Sequence, residues 1–184
     1  MNGLNVRDEL KEKTVEELQT ISAADRLGYS VLLFNLSQDL NIGNTIRSAH
    51  LLGAKRVIII GDRKFDRRSC VGAQNYIEIV DSRLEQEASE LVVFNSFIKA
   101  LDTYNLYPLA IDKTKDSLSI SRMSWPKDCT SPCLVFGNEN TGIPTKILES
   151  IPTYHIEQFG VLRSFNVASA AAIAMYECST ILRK

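Results

Sequence analysis

The chain has 184 residues, 45% hydrophobic and 23% charged, with a net charge of −1. That length and apolar content suffice for one domain with a sizeable core and argue against disorder, while the near-neutral balance gives little whole-chain support for binding a polyanion. No apolar run approaches membrane-spanning length, Met1 to Asn5 lacks a basic-then-apolar leader pattern, and the four cysteines have no metal-knuckle spacing. A cytoplasmic protein with reduced thiols and no metal or membrane partner is the expectation.

Residues 6–27 read as helical, with apolar positions recurring from Val6 to Leu27 among charges. Thr14-Val15-Glu16-Glu17 has the form of a capping box, which divides the segment into two helices, and Gly28 is a plausible stop. Val31 to Leu36 is the first strand, followed by a polar loop and a helix for which Asn41 is the expected N-cap. Ile42, Ile46, Ala49 and Gly53 form one apolar face of that helix, and Arg47 lies off it.

Val57 to Gly61 is a second buried strand, and the basic loop Arg63-Lys64-Phe65-Asp66-Arg67-Arg68 follows it directly. Four cations around one aromatic make that loop a candidate phosphate contact; a solvated loop is the alternative. Tyr76 to Val80 is the third strand. A helix over 89–104 turns Val93, Phe94, Phe97, Ile98 and Leu101 inward. Tyr107 to Ile111 is the next strand, and 113–127 is a polar connection holding Trp125.

The apolar run 133–136 ends on the Gly137 turn, where Gly137 and Gly142 permit positive φ or a close backbone approach. A helix follows Pro144, and a short strand lies near 154–156. The last helix opens near Ser164 or Asn166 and carries a run of small residues, 168–174, suited to tight packing. Alternating strands and helices, with strands that are continuous apolar runs, predict an α/β fold: a parallel sheet with helices on both faces.

Three segments carry a resemblance: Asn41-Ile42-Gly43-Asn44-Thr45-Ile46-Arg47-Ser48-Ala49, the turn 137–144, and Ser164-Phe165-Asn166-Val167. In order and spacing they resemble the three motifs of the SpoU family, RNA ribose 2′-O-methyltransferases of the SPOUT superfamily that use S-adenosylmethionine. The likeness runs from Val31 to Glu177. It implies one SPOUT domain over 1–184, with residues 1–28 as a helical extension and 130–184 as a donor-binding region closed by a deep trefoil knot.

The resemblance also implies site roles. Donor contacts fall on Ile111, Gly137, Asn138, Gly142, Ile156, Ser164 and Phe165. Arg47 acts on the ribose hydroxyl, Asn41 and Glu139 hold Arg47 and the loops in place, and Ser164 and Asn166 orient the ribose or its phosphate. RNA contacts are expected at Arg63, Lys64, Arg67, Arg68 and Arg163. The chain has Ile156-Glu157-Gln158 where the family usually has Ile-Pro-Met, and Phe165 where it usually has Leu. The implied partners are RNA, with tRNA ahead of rRNA, and a second copy of the chain, paired through small and aliphatic residues such as Ala168, Ala172 and Met175. A non-catalytic RNA-binding subunit of the same fold is the competing reading.

Overall fold

The computed structural model describes residues 5–34, 38–62, 65–129 and 131–184. Seven strands form one sheet in the order β3-β2-β1-β6-β4-β7-β5, every neighbouring pair parallel. They are β1 (Ser30–Phe34), β2 (Arg56–Gly61), β3 (Glu78–Arg83), β4 (Tyr107–Ile111), β5 (Leu118–Ser119), β6 (Pro132–Phe136) and β7 (Thr153–His155). The helices are α1 (Val15–Ala24), α2 (Asp39–Leu51), α3 (Glu90–Tyr104), α4 (Thr145–Leu148) and α5 (Val167–Leu182).

Side-chain alternation along the strands divides the core in two. Val31, Leu33, Val57, Ile59, Leu134 and Phe136 point to one face, beneath Ile42, Ile46 and Ala49 of α2 and Ala171, Ala174 and Met175 of α5. Leu32, Phe34, Ile58, Ile60, Cys133 and Val135 point to the other, beneath Phe97 and Ala100 of α3 and Ile147 of α4. Each central strand is thus buried on both faces, which is why it reads as an unbroken apolar run. Arg56 fastens the β2–β3 margin: its guanidinium donates to Glu78 at 2.9 Å and lies 4.1 Å from the Tyr104 ring centroid.

Several boundaries differ from the sequence reading. The 6–27 segment is a 3-10 turn at Asp8–Leu10 followed by α1, whose Thr14 and Glu17 form the full capping box. The chain leaves α1 at Asp25, before the positive-φ Gly28. The helix predicted to begin at Asn41 begins at Asp39 instead, with Gln38 at the N-cap making no side-chain bond. The third strand is displaced to 78–83, because Tyr76 closes a 3-10 turn. In α3, Ile98 is exposed and Ala100 takes the inward position. The 113–127 connection contains β5, which extends the sheet beyond β7.

Ala168 and Met175, expected on a partner-facing surface, are buried within the chain, Met175 in the half of the core shared with α2. The outward residues of α5 include Ile173 and Tyr176. Leu36, Arg63 and Lys64 lie outside the described residues. No described helix is long and apolar enough to cross a membrane.

Candidate active site at the carboxyl ends of the strands

Gln38, Asn41 and the loops leaving β4, β6 and β7 surround a cavity of about 750 Å³. A crevice at the carboxyl ends of parallel strands is the usual ligand position in an open α/β sheet. Its floor is Ile111 and Phe136, and its walls are the turn 137–142 together with His155, Ile156 and residues 163–167.

The β6 turn is built by backbone and one side chain. Asn138 and Gly142 exchange N–H···O bonds of 3.0 and 2.9 Å, and the Asn138 Oδ1 accepts from the amides of Asn140 and Thr141. A Cβ on Gly137 would stand 2.0 Å from the Gly142 carbonyl carbon, so only glycine lets the two arms of the turn meet. Gly142 has φ +71°, and a Cβ there would lie 3.3 Å from Asp112 Oδ2. The turn therefore brings its backbone close to the cavity, along with the side chains of Asn138 and Glu139.

Three distant segments meet at one rim of this cavity. Asn41 is in the first turn of α2, 4% exposed, and its Nδ2 donates to Glu139 Oε1 at 2.7 Å. Its Oδ1 accepts from Asn166 Nδ2 at 2.9 Å. Asn166 in turn caps α5, its Oδ1 accepting from the amides of Ala168 and Ser169. The carboxamide of Asn41 is thus committed across the fold, which is why it does not cap its own helix. Capping of α5 falls to Asn166; Ser164 is exposed on the cavity wall.

The remaining predicted residues divide. Ile111, Gly137, Asn138, Glu139, Gly142, Ile156, Arg163, Ser164, Phe165 and Asn166 all line the cavity. Arg47 does not. It is exposed, makes no hydrogen bond or ion pair with the described residues, and faces a separate cavity between α1, α2 and the end of α5. The two cavities share no lining residue, so Asn41 and Glu139 do not hold Arg47 as the sequence reading expected. In the basic loop Arg67 is exposed, while Arg68 pairs with Asp66 at 2.6 Å, which lowers the carboxyl's affinity for a proton and cancels one of the loop's charges.

Asp112, Lys113 and His155 also line the cavity; sequence reasoning passed over Asp112 and placed neither of the others in the donor site. Asp112 directly follows Ile111, so the end of β4 was the available signal. The Asp112 Oδ1 accepts from the Lys113 amide at 2.7 Å, and His155 Nδ1 sits 3.0 Å from Ser117 Oγ. Two carboxylates, Asp112 and Glu139, face the cavity beside Lys113 and Arg163. No group of His, Cys, Asp and Glu suited to a metal occurs among the described residues.

No curated protein matches the sequence. Among solved structures, the fold is similar to an Aquifex aeolicus protein, "A. aeolicus TrmH/SpoU tRNA modifying enzyme", at 17% identity and TM-score 0.71, covering 90% of this chain and 81% of that one. An AdoMet-bound rRNA methyltransferase from Sinorhizobium meliloti matches at 22% identity and TM-score 0.70, over 89% of this chain and 60% of that one. The SpoU methyltransferase AviRb from Streptomyces viridochromogenes, in complex with AdoMet, matches at 25% identity and TM-score 0.66, over 85% and 58%. The chain thus spans about three fifths of the length of the latter two proteins. The model of the SpoU rRNA Methylase family matches residues 28–176, which include the Asn41, Glu139 and Asn166 segments joined at the cavity rim, and the chain belongs to that family.

Proposed function

We propose that the chain transfers a methyl group from S-adenosylmethionine to a ribose 2′-hydroxyl of RNA, with tRNA the favoured substrate. The observation that carries the reading is the bonded chain Glu139–Asn41–Asn166, which joins the three motif segments at the rim of the strand-end cavity. The donor and RNA named for the Sinorhizobium, Streptomyces and Aquifex proteins support it by likeness.

The cavity suits the donor. Its volume of about 750 Å³ is of the size that encloses a small-molecule ligand, the 137–142 turn presents backbone groups that can hydrogen-bond a purine, and Asp112 and Glu139 complement a cationic sulfonium. That donor, when bound, supplies an electrophilic methyl. Ile111, Gly137, Asn138, Gly142, Ile156 and Phe165 hold and bend it, and Ser164 with Arg163 orients the ribose and its phosphate. The C-terminal region, 130–184, is read as threaded into the family's trefoil knot.

Arg47 enters this scheme from a second copy of the chain, since within one chain it faces the other cavity. A guanidinium stays protonated in almost any site, so Arg47 stabilises the alkoxide as it develops, and the hydroxyl proton leaves to solvent water, with the neutral thioether S-adenosylhomocysteine as the other product. The exposed apolar residues Phe159, Val161, Leu162, Ile173 and Tyr176 support a homodimer as the working form. The test is incubation of the protein with labelled donor and total RNA, followed by mapping of the methylated nucleotide. Label on a ribose of tRNA is expected. Donor and RNA binding without any transfer would move the chain to a non-catalytic, RNA-binding role.

A further inference from the structure

The second cavity, about 450 Å³ between α1, α2 and the end of α5, is unusual in its charge. Arg7, Arg26, Arg47 and Arg183 face it, and Asp25 is the only carboxylate among its lining residues. Arg7 has a partner in Glu9, 3.5 Å away. Among the described residues Arg183 donates only to Ser179, through its carbonyl at 3.0 Å and its hydroxyl at 3.3 Å, and Arg47 makes no bond.

Arg26 is half-buried and held by neutral acceptors: Ser22 Oγ at 2.6 Å, the His50 carbonyl at 3.4 Å, and the Tyr76 carbonyl. Burial lowers its proton affinity, and Tyr29 and Asp25 offset this only in part. A desolvated cation bonded to neutral groups is an unbalanced charge that an anion would compensate. The same cavity has an aromatic wall. His50 and Tyr76 rings lie 5.7 Å apart at 31°, and the Tyr76 hydroxyl is buried with no hydrogen-bond partner among the described residues. Burial, then Arg26, lowers the proton affinity of His50, so a neutral ring completes that wall.

Cations for a phosphodiester beside rings for a base describe a nucleotide site more closely than a plain anion site. We propose that this cavity takes one unstacked nucleotide of the substrate RNA, its phosphate held by Arg183 and the uncompensated charge of Arg26 and its base against His50 and Tyr76. The assignment rests on the RNA substrate of the preceding section. It adds a second RNA contact, remote from the donor cavity within one chain, and leaves Arg47 to the reacting ribose.

The test uses the full chain and a short single-stranded RNA bearing thiouridine. Affinity is measured over a salt series for wild type, Arg183→Gln and Tyr76→Leu, and photo-crosslinks are mapped to peptides. Arg183→Gln should weaken RNA binding several-fold and flatten the log–log salt slope by about 0.7, the value for one phosphate on a single strand. Tyr76→Leu should cost about five-fold or more. Donor affinity should not change in either, and crosslinks should fall within 22–27, 50–53 or 73–76.

An unchanged slope in Arg183→Gln, or crosslinks confined to 156–166, would overturn the nucleotide site and leave the transferase reading intact. Competition by inorganic phosphate as strong as that by RNA, without crosslinks in the cavity, would also overturn it. Conversely, crosslinks in the cavity of a protein that transfers no methyl would sink the transferase and retain the site.

Discussion

Replacing Asn41 by alanine removes both bonds that tie the three motif segments together. The bond to Glu139 is to a carboxylate, worth roughly 1.5–3 kcal/mol, and the bond from Asn166 is neutral, worth about 1 kcal/mol. Glu139 is only half-buried, so water replaces part of the first. A net loss of about 2–3 kcal/mol follows, which for a chain of this length lowers Tm by roughly 4–12 °C. Asn41→Asp gives a contrast of opposite pH dependence. Its carboxyl would stand where a donor now sits 2.7 Å from Glu139 Oε1, so the pair must share a proton. The folded-state pKa is then raised above the unfolded value, and stability present at low pH is lost as pH rises through it. Thermal melts of wild type and both variants at acidic and mildly alkaline pH, with donor titrations alongside, check this. A Tm within about 1 °C of wild type for Asn41→Ala, with unchanged donor affinity, would refute the view that this carboxamide holds the rim.

Arg47→Ala should leave folding and donor affinity intact while removing most methyl transfer; a near wild-type single-turnover rate would remove Arg47 from the reaction. For the basic loop, Arg67→Ala should flatten the RNA salt slope by about 0.7, whereas Arg68→Ala should have a smaller effect because Asp66 already pairs with it; equal effects would show that the ion pair opens on binding. Burial lowers the proton affinity of His50, with Arg26 adding to it, so protonation favours the unfolded chain. Stability should accordingly fall as pH drops from neutral through the ordinary imidazole range, and His50→Gln should reduce that loss in urea melts. Cys70, Cys133 and Cys178 are buried, with their thiols held above the ordinary range, Cys178 at about 12. A thiol reagent should modify Cys129 first in the native protein, and all four cysteines only after unfolding.

The sheet was legible because its central strands are buried on both faces, so the β-branched Val31, Ile58 and Val135 sit in short apolar runs bounded by polar or glycine-containing turns. The margins were not, since β3 and β5 are partly exposed and carry weak patterns. In the site, the Gly137 turn was legible because a tight turn constrains residue type, whereas Asn138 came only from the family resemblance. Asn41 was identified but misplaced: a carboxamide near a helix start caps in most settings, and only the spatial neighbours Glu139 and Asn166 redirect it. The second cavity left no trace in the sequence, because Arg26, Arg47 and Arg183 come from three elements and meet only when α1 and α5 close against α2.

The position of β6 in the sheet has a consequence for how the chain is made. β1 is bonded on one side to β2, but its other edge belongs to β6, some hundred residues later. At ribosomal rates of about 5–20 residues per second, that edge stays open for roughly 5–20 s. An uncovered run such as Val31-Leu32-Leu33-Phe34 is a template for pairing with another nascent chain. A strand that is fully buried in the finished sheet thus begins as an open edge, and yield in the cell should depend on chaperones that occupy the β1 edge until β6 emerges.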